Sequence, residues 1–316
     1  MAQGKPQYAF FEGKIVPIAD AKVGVMTHAL NYGTGVFGGL RGYWNEDEEQ
    51  LFVFRPHDHF ERFLQSANMM RIDLPYSATE LVHILLDLLR TEGFRENCYI
   101  RPLAYKSTEM IGVKLHDVDN ALTIFALPFG SYVNDKEAGL HVGFSSWRRV
   151  DDNAIPARGK VTGAYANSAL IKTEANLAGY DEALVLNSSG HLSETSASNI
   201  FIVRKGVVIT PPVYADVLEG ITRRTIIHLL REEMGIEVIE RDIDRTELYV
   251  TDEVFLCGTG VQIAAITQIE HRPVGNGVMG PITQRISSLY HSLVRGQVEK
   301  YREWLTPVYA NTTEQA

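Results

Sequence analysis

The nonapeptide Ala157-Arg158-Gly159-Lys160-Val161-Thr162-Gly163-Ala164-Tyr165 sets one lysine between two glycines, just ahead of an alanine-rich helical stretch. Glycine lets a backbone approach a ligand closely. A lysine becomes a useful Schiff-base nucleophile when burial or a nearby positive group lowers its pKa. The chain has ten lysines, most beside charged or turn residues as solvated groups are, and Lys160 differs from them in its surroundings. Spacing alone leaves a solvated surface lysine as the alternative.

Working outward, Glu194 lies in Gly190-His191-Leu192-Ser193-Glu194-Thr195-Ser196-Ala197-Ser198-Asn199, a polar patch inside an apolar strand region. It reads either as a hairpin acid facing solvent or as a carboxylate that meets a cation, because a bare buried carboxylate is costly. Leu218-Glu219-Gly220-Ile221-Thr222-Arg223-Arg224 is a glycine turn entering a helix. Free N–H groups and the dipole make such a start an anion site, to which Thr222 adds a hydroxyl; the plainer alternative is that Thr222 caps its helix. Gly258-Thr259-Gly260, after the apolar strand 254–256, could form a second phosphate loop.

Composition bounds the function. The 316 residues suggest two domains of roughly 100 to 200 residues each. With 45% hydrophobic and 22% charged residues the balance is that of an ordinary globular protein. A formal net charge of -9 without a Lys/Arg run argues against a nucleic-acid surface and for a small-molecule substrate. Cys98 and Cys257 form no CxxC pair, so neither a disulfide framework nor a structural zinc site is expected. The start MAQGKPQYAFFEGK has no signal-like apolar stretch, and no run of about 20 apolar residues occurs, so the expectation is a cytoplasmic protein with no membrane partner. Gly33-Thr34-Gly35-Val36-Phe37-Gly38 matches GxGxxG with Asp58 downstream, but VMTHALNY before it is no buried strand and a dinucleotide site is not expected. His57 and His59 would point to different helix faces, and no metal site is expected.

Strands and helices interleave throughout, which predicts a mixed α and β class. Pro56 suits the first turn of a helix running to about Met70. Ser77 and Glu80 stand in capping-box spacing before Leu81, Ile84, Leu85, Leu88 and Leu89, with Gly93 as the stop. Further helices are expected over 164–178, over 222–234, and from Pro281. Strands are expected over 50–55, 98–105, 121–127, 140–145, 183–186, 199–203 and 207–210. The polar, turn-rich segment 130–139 predicts the domain boundary, giving a small domain 1–132, a linker 133–139 and a larger domain 140–316.

Taken together, ARGKVTGAYANS with Lys160, LSETSASNIF with Glu194, LEGITRRT with Gly220 to Thr222, and CYIRPL with Tyr99 to Pro102 resemble the fold-type IV pyridoxal 5′-phosphate (PLP) enzymes. Within them the likeness is to the branched-chain amino acid aminotransferases. THALNYGTGVFGGLRGY and FRPHDHFERF agree, and matching segments extend from about residue 8 to 260. The resemblance implies a small α/β domain beside a larger pseudo-barrel domain, and at least a homodimer with part of the substrate wall lent between subunits. Lys160 would carry PLP, Glu194 would hold the pyridine nitrogen protonated, and Tyr165 would hydrogen-bond the phenolate oxygen. Arg62, Ile221, Thr222 and Thr259 would clamp the phosphate beside Gly220, and Leu218 would pack on the ring. Tyr32, Phe37, Gly39, Arg41, Tyr99, Arg101, Tyr132, Thr259 and Gly260 correspond to the substrate pocket. The implied reaction moves an amino group from leucine, isoleucine or valine to 2-oxoglutarate. The chain departs from the family at Gly38, where many members have glutamate, and at Gly260-Val261, where many have Ala-Ala. These departures keep a side activity on (R)-primary amines open. A D-amino acid or (R)-amine transaminase, an aminodeoxychorismate lyase of the same fold, and a non-catalytic PLP-binding protein are the alternatives.

Overall fold

The computed structural model describes residues 5–130 and 139–309. The chain divides into two compact units. The first comprises 1–130, 159–163 and 291–316; the second comprises 131–158 and 164–290. The sequence suggested a single boundary at 133–139, but the chain returns to the first unit twice. The reason is hydrogen bonding: 159–163 and the C-terminal stretch pair with backbone groups of the first unit. Of the expected linker, only Gly139 is among the described residues.

In the first unit, strands β1 (Tyr8–Phe11), β2 (Lys14–Pro17), β3 (Gly35–Phe37), β4 (Leu40–Asn45), β5 (Gln50–Phe54), β6 (Cys98–Lys106) and β7 (Asn120–Pro128) build one sheet. Its order is C-terminal strand Leu305–Pro307, then β5, β4, β6, β7, β1, β2, with β3 also on β6. All pairings are antiparallel. The helices are α1 (His28–Tyr32), α2 (Pro56–Met69) and α3 (Ala78–Glu92). β5 is buried at every position. Pro56 then opens α2, where its missing N–H costs nothing. Ser77 and Glu80 close the expected capping box on α3, and Gly93 ends it at φ 70°.

The second unit holds β8 (Leu140–Phe144), β9 (Glu182–Leu186), β10 (Leu192–Thr195), β11 (Asn199–Arg204), β12 (Val207–Thr210), β13 (Val238–Glu240), β14 (Glu253–Gly258), β15 (Gln262–Ile269) and β16 (Arg272–Pro273). The order is β10-β9-β8-β15-β14-β11-β12-β13, with β16 on β15. Parallel pairs (β8 with β9 and β15, β12 with β13) mix with antiparallel ones, giving the expected mixed class. Its helices are α4 (Tyr165–Leu177), α5 (Ile221–Glu232) and α6 (Pro281–Leu293), the last three residues of α6 belonging to the first unit. The core of this sheet is aliphatic, from Leu140 and Val142 through Ile200, Ile202 and Leu256 to Ile266.

Candidate active site

Lys160 sits on a five-residue strap, 159–163, that is stitched along the first unit. Val161 bridges to Val36 of β3. Phe37 N–H donates to the Lys160 carbonyl at 3.0 Å, and Gly163 N–H to the Gly33 carbonyl at 3.1 Å. The Thr162 hydroxyl donates to the Gly33 carbonyl at 2.7 Å and accepts from Gly35 N–H at 3.1 Å. Gly33 is required here: its φ is +67°, and a Cβ would stand 2.7 Å from Gly163 Cα. The Lys160 N–H donates to Ser66 Oγ at 3.2 Å, and Ser66 in turn donates to the Arg62 carbonyl one helical turn earlier at 2.9 Å. One buried hydroxyl thus ties the lysine to the α2 turn that carries the expected phosphate clamp.

The half-buried Lys160 side chain rests on β3, with Nζ 4.9 Å from the centre of the Phe37 ring. Arg101 of β6 stacks on the same ring, its Cζ at 4.4 Å. Two cations on one ring face a quadrupole that attracts each of them while they repel each other. Arg101 also donates to the Tyr99 hydroxyl at 3.1 Å, and its buried Nε has no acceptor among the described residues. A Cβ on Gly39 would come 2.4 Å from that hydroxyl, so glycine there makes room for Tyr99. Gly38 is similarly crowded, a Cβ falling 2.6 Å from Pro102 Cγ. Tyr32 accepts a hydrogen bond from Gly112 N–H at 3.1 Å. Arg41 is 2% exposed and donates to the carbonyls of Phe129 and Gly130, so in this structure it anchors the end of β7. Tyr132 lies outside the described residues.

In the second unit Glu194 is 3% exposed. The hairpin acid facing solvent is therefore excluded. Its Oε1 accepts from Asn199 Nδ2 at 2.8 Å and Leu218 N–H at 2.7 Å. Its Oε2 lies 3.2 Å from the Arg149 guanidinium. Asn199 also donates to the Leu218 carbonyl at 2.9 Å, and its Oδ1 occupies the place a Gly220 Cβ would need, at 2.1 Å. The same asparagine therefore shapes the carboxylate and the turn into α5.

That turn opens α5 with Gly220 as N-cap and no side-chain cap, so Thr222 is not the cap that the plainer alternative held it to be. The first backbone bond of the helix runs from Arg224 N–H to the Gly220 carbonyl. Ile221 and Thr222 present the N–H groups of the first turn, where an anion is stabilised. Leu218 and the loop residues Thr259 and Gly260 are half-buried, and Tyr165 is the first residue of α4. Burial pushes the Cys257 thiol of β14 far above its ordinary value, leaving it a neutral wall.

The GxGxxG match fails for a visible reason. Gly33 ends a helix and β3 follows, the reverse of the strand-then-helix order that a dinucleotide loop needs. His59 is buried and His57 exposed, and no cluster of three metal-ligating side chains occurs among the described residues. Sequence reasoning missed Ser66, Arg149 and Asn199. Ser66 and Arg149 carry no local signal; Asn199, a polar residue opening an apolar strand, does.

The Amino-transferase class IV profile matches residues 35–269. A probable branched-chain-amino-acid aminotransferase of Aquifex aeolicus is 49% identical over 302 residues, 96% of this chain and 97% of that protein. The branched-chain-amino-acid aminotransferase of Escherichia coli K12 is 38% identical, covering 98% of this chain and 99% of its own. Among solved structures, the branched-chain aminotransferase of Thermoproteus uzoniensis with norvaline has a TM-score of 0.92 at 44% identity, covering 96% of this chain and all of that one. The enzyme from Thermobaculum terrenum in its PLP form has a TM-score of 0.92 at 39% identity, covering 98% of this chain and all of its own. By the profile match and these relatives, this chain belongs to the class IV aminotransferase family.

Proposed function

We propose that this protein transfers the amino group of leucine, isoleucine or valine to 2-oxoglutarate, using PLP held on Lys160. The substrate class rests on the names of its relatives. Two solved branched-chain amino acid aminotransferase structures similar to this chain carry 4-methylvaleric acid and N-(5′-phosphopyridoxyl)-L-glutamate, a branched acid and a glutamate adduct. A homodimer with a shared substrate wall and a cytoplasmic location belong to the same proposal.

The observation that carries the reading is the Glu194 carboxylate. A carboxylate has about four acceptor positions. Two, both on Oε1, are filled by Asn199 and Leu218, while Oε2 is paired ionically with Arg149 at 3.2 Å and accepts no hydrogen bond among the described residues. A cationic ring N–H is the donor that fits it.

PLP, when bound, supplies a carbonyl carbon for the substrate nitrogen and a protonated ring that takes up the electron pair left when Cα–H breaks. Lys160 Nζ would hold the cofactor and, once free, would act as the base that takes up and gives back the substrate Cα proton. Glu194 would accept a hydrogen bond from the protonated ring nitrogen. Tyr165 would donate to the phenolate oxygen, and Arg62, Ile221, Thr222 and Thr259 would bind the phosphate. Arg101, with its free Nε donor, would meet a substrate carboxylate. The second oxo acid reverses these proton transfers, so ping-pong kinetics are expected.

Borohydride reduction of the PLP-loaded protein followed by peptide mapping should place the label on Lys160, and Lys160→Ala should transfer no amino groups. A label elsewhere removes the assignment. L-leucine, D-alanine and (R)-1-phenylethylamine compared as donors separate the branched-chain reading from the D-amino acid and (R)-amine alternatives, with L-leucine expected to dominate.

A further inference from the structure

We infer that Arg149 is a positioning residue for the ring end of the cofactor: its ion pair with Glu194 Oε2 holds that oxygen in place to accept from a ring N–H. The inference deepens the proposed function and rests on it.

Two hydrogen-bond donors and one ion-pair partner meet Glu194, and they do different work. Asn199 Nδ2 and Leu218 N–H are neutral and both go to Oε1. Either would serve the carbonyl oxygen of a protonated acid as well as a carboxylate. Arg149 alone approaches Oε2, the oxygen that accepts no hydrogen bond among the described residues, and a guanidinium does not give up its proton in a protein. The pair is withdrawn from water, with side-chain exposures of 13% for Arg149 and 4% for Glu194. Removing one partner of such a pair strands the other charge.

The guanidinium is itself held in place. Its Nε donates to the Asp216 carbonyl at 3.2 Å, and the Arg149 backbone N–H donates to the Leu186 carbonyl at 2.9 Å. Asp216 is two residues before Leu218, so Arg149 fixes both the carboxylate and the loop that donates to it. Other charges nearby have partners of their own. Arg223 of α5 is bound by Glu240 at 2.7 Å, and Glu182 of β9 by Lys172 at 3.0 Å. The Asp216 carboxyl, pushed above its ordinary value by burial and by Asp151 and Asp152, accepts from Asp152 N–H. Arg149 is thus the cation assigned to Glu194.

The test separates a ring-nitrogen role from a general structural one. Apoprotein is titrated with PLP and with its 1-deaza analogue, which has C–H where PLP has the ring nitrogen, and binding is followed by visible absorbance. Wild type should prefer PLP. Arg149→Met should bind PLP about tenfold or more weakly yet lose little affinity for the analogue, so that the preference collapses; tenfold corresponds to about 1.4 kcal/mol. Arg149→Lys, which returns a charge, should recover most of it. Should Arg149→Met fail to fold, Arg149→Gln takes its place with the same expectation. Equal weakening toward both ligands, or an unchanged preference, overturns the inference while leaving Lys160 and Glu194 standing. No preference in wild type, with the borohydride label on Lys160, removes the Glu194 ring contact and this inference with it; a label elsewhere removes the proposed function.

Discussion

Ser66→Ala deletes a single oxygen that has two partners. Ser66 is 1% exposed, and its Oγ accepts from Lys160 N–H at 3.2 Å while donating to the Arg62 carbonyl at 2.9 Å. The Arg62 carbonyl keeps its helical geometry without the hydroxyl. The Lys160 N–H loses its acceptor at a buried position, and an unsatisfied buried donor costs about 1–3 kcal/mol. The strap has other attachments through Phe37, Val36, Gly33 and Gly35, so the loss should loosen it rather than release it. Urea unfolding of the apoprotein should show a stability loss of about 1–3 kcal/mol with an unchanged slope. If half of that loss falls on the strap's local equilibrium, PLP affinity drops by roughly two- to tenfold, since 1.4 kcal/mol is a factor of ten. Ser66→Thr, which restores the hydroxyl, should recover most of it. A Ser66→Ala protein within about 0.5 kcal/mol of wild type, the range of ordinary surface substitutions, with unaltered PLP affinity would refute the reasoning.

Glu194→Gln should keep a reducible linkage to Lys160 but lose on the order of a hundredfold in turnover, the scale of one preorganised electrostatic contact, measured by coupled assay. Gly220→Ala forces a methyl onto Asn199 Oδ1, 2.1 Å away, and should cost about 1–3 kcal/mol in unfolding experiments together with phosphate-dependent PLP affinity. The buried Cys98 thiol is pushed up from 9.0 to about 12 by burial. Its folded-state value exceeds the unfolded one, so its contribution is complete below pH 9 and is lost as pH rises from there toward 12, at about 1.4 kcal/mol per pH unit. Cys257 shifts the same way, and denaturation series between pH 8 and 10.5 should steepen above about pH 9, whereas a flat profile would contradict the burial argument.

Punctuated elements were legible from sequence. Pro56, the Ser77–Glu80 capping box and Gly93 each act within a few residues, and the structure uses all of them. Less legible were the elements whose partners are remote. β15, buried at almost every position, shows neither helical nor alternating periodicity to identify it. β3 and β4 are separated by glycines chosen for Pro102 and Tyr99 rather than for strand propensity. Leu305–Pro307 becomes a strand only because β5 offers an edge about 250 residues earlier. At the candidate site, the residue types expected to act on PLP stood out by their neighbours, as Lys160 did between glycines. Arg149 lies beside Arg148 in a serine-rich turn and reads as surface; its meaning comes from Glu194, 45 positions on.

The two returns of the chain to its first unit bear on how a ribosome delivers it. β5 waits for Leu305–Pro307, Arg90 of α3 waits for the Val308 carbonyl, and Asn45 waits for the carbonyl of Arg295. The half that is made first is therefore finished last. During synthesis its edge strand stays unsatisfied while the second half is produced, and an open edge is a template for unwanted pairing. Expression yield should then depend on chaperone supply more than the stability of the finished protein suggests.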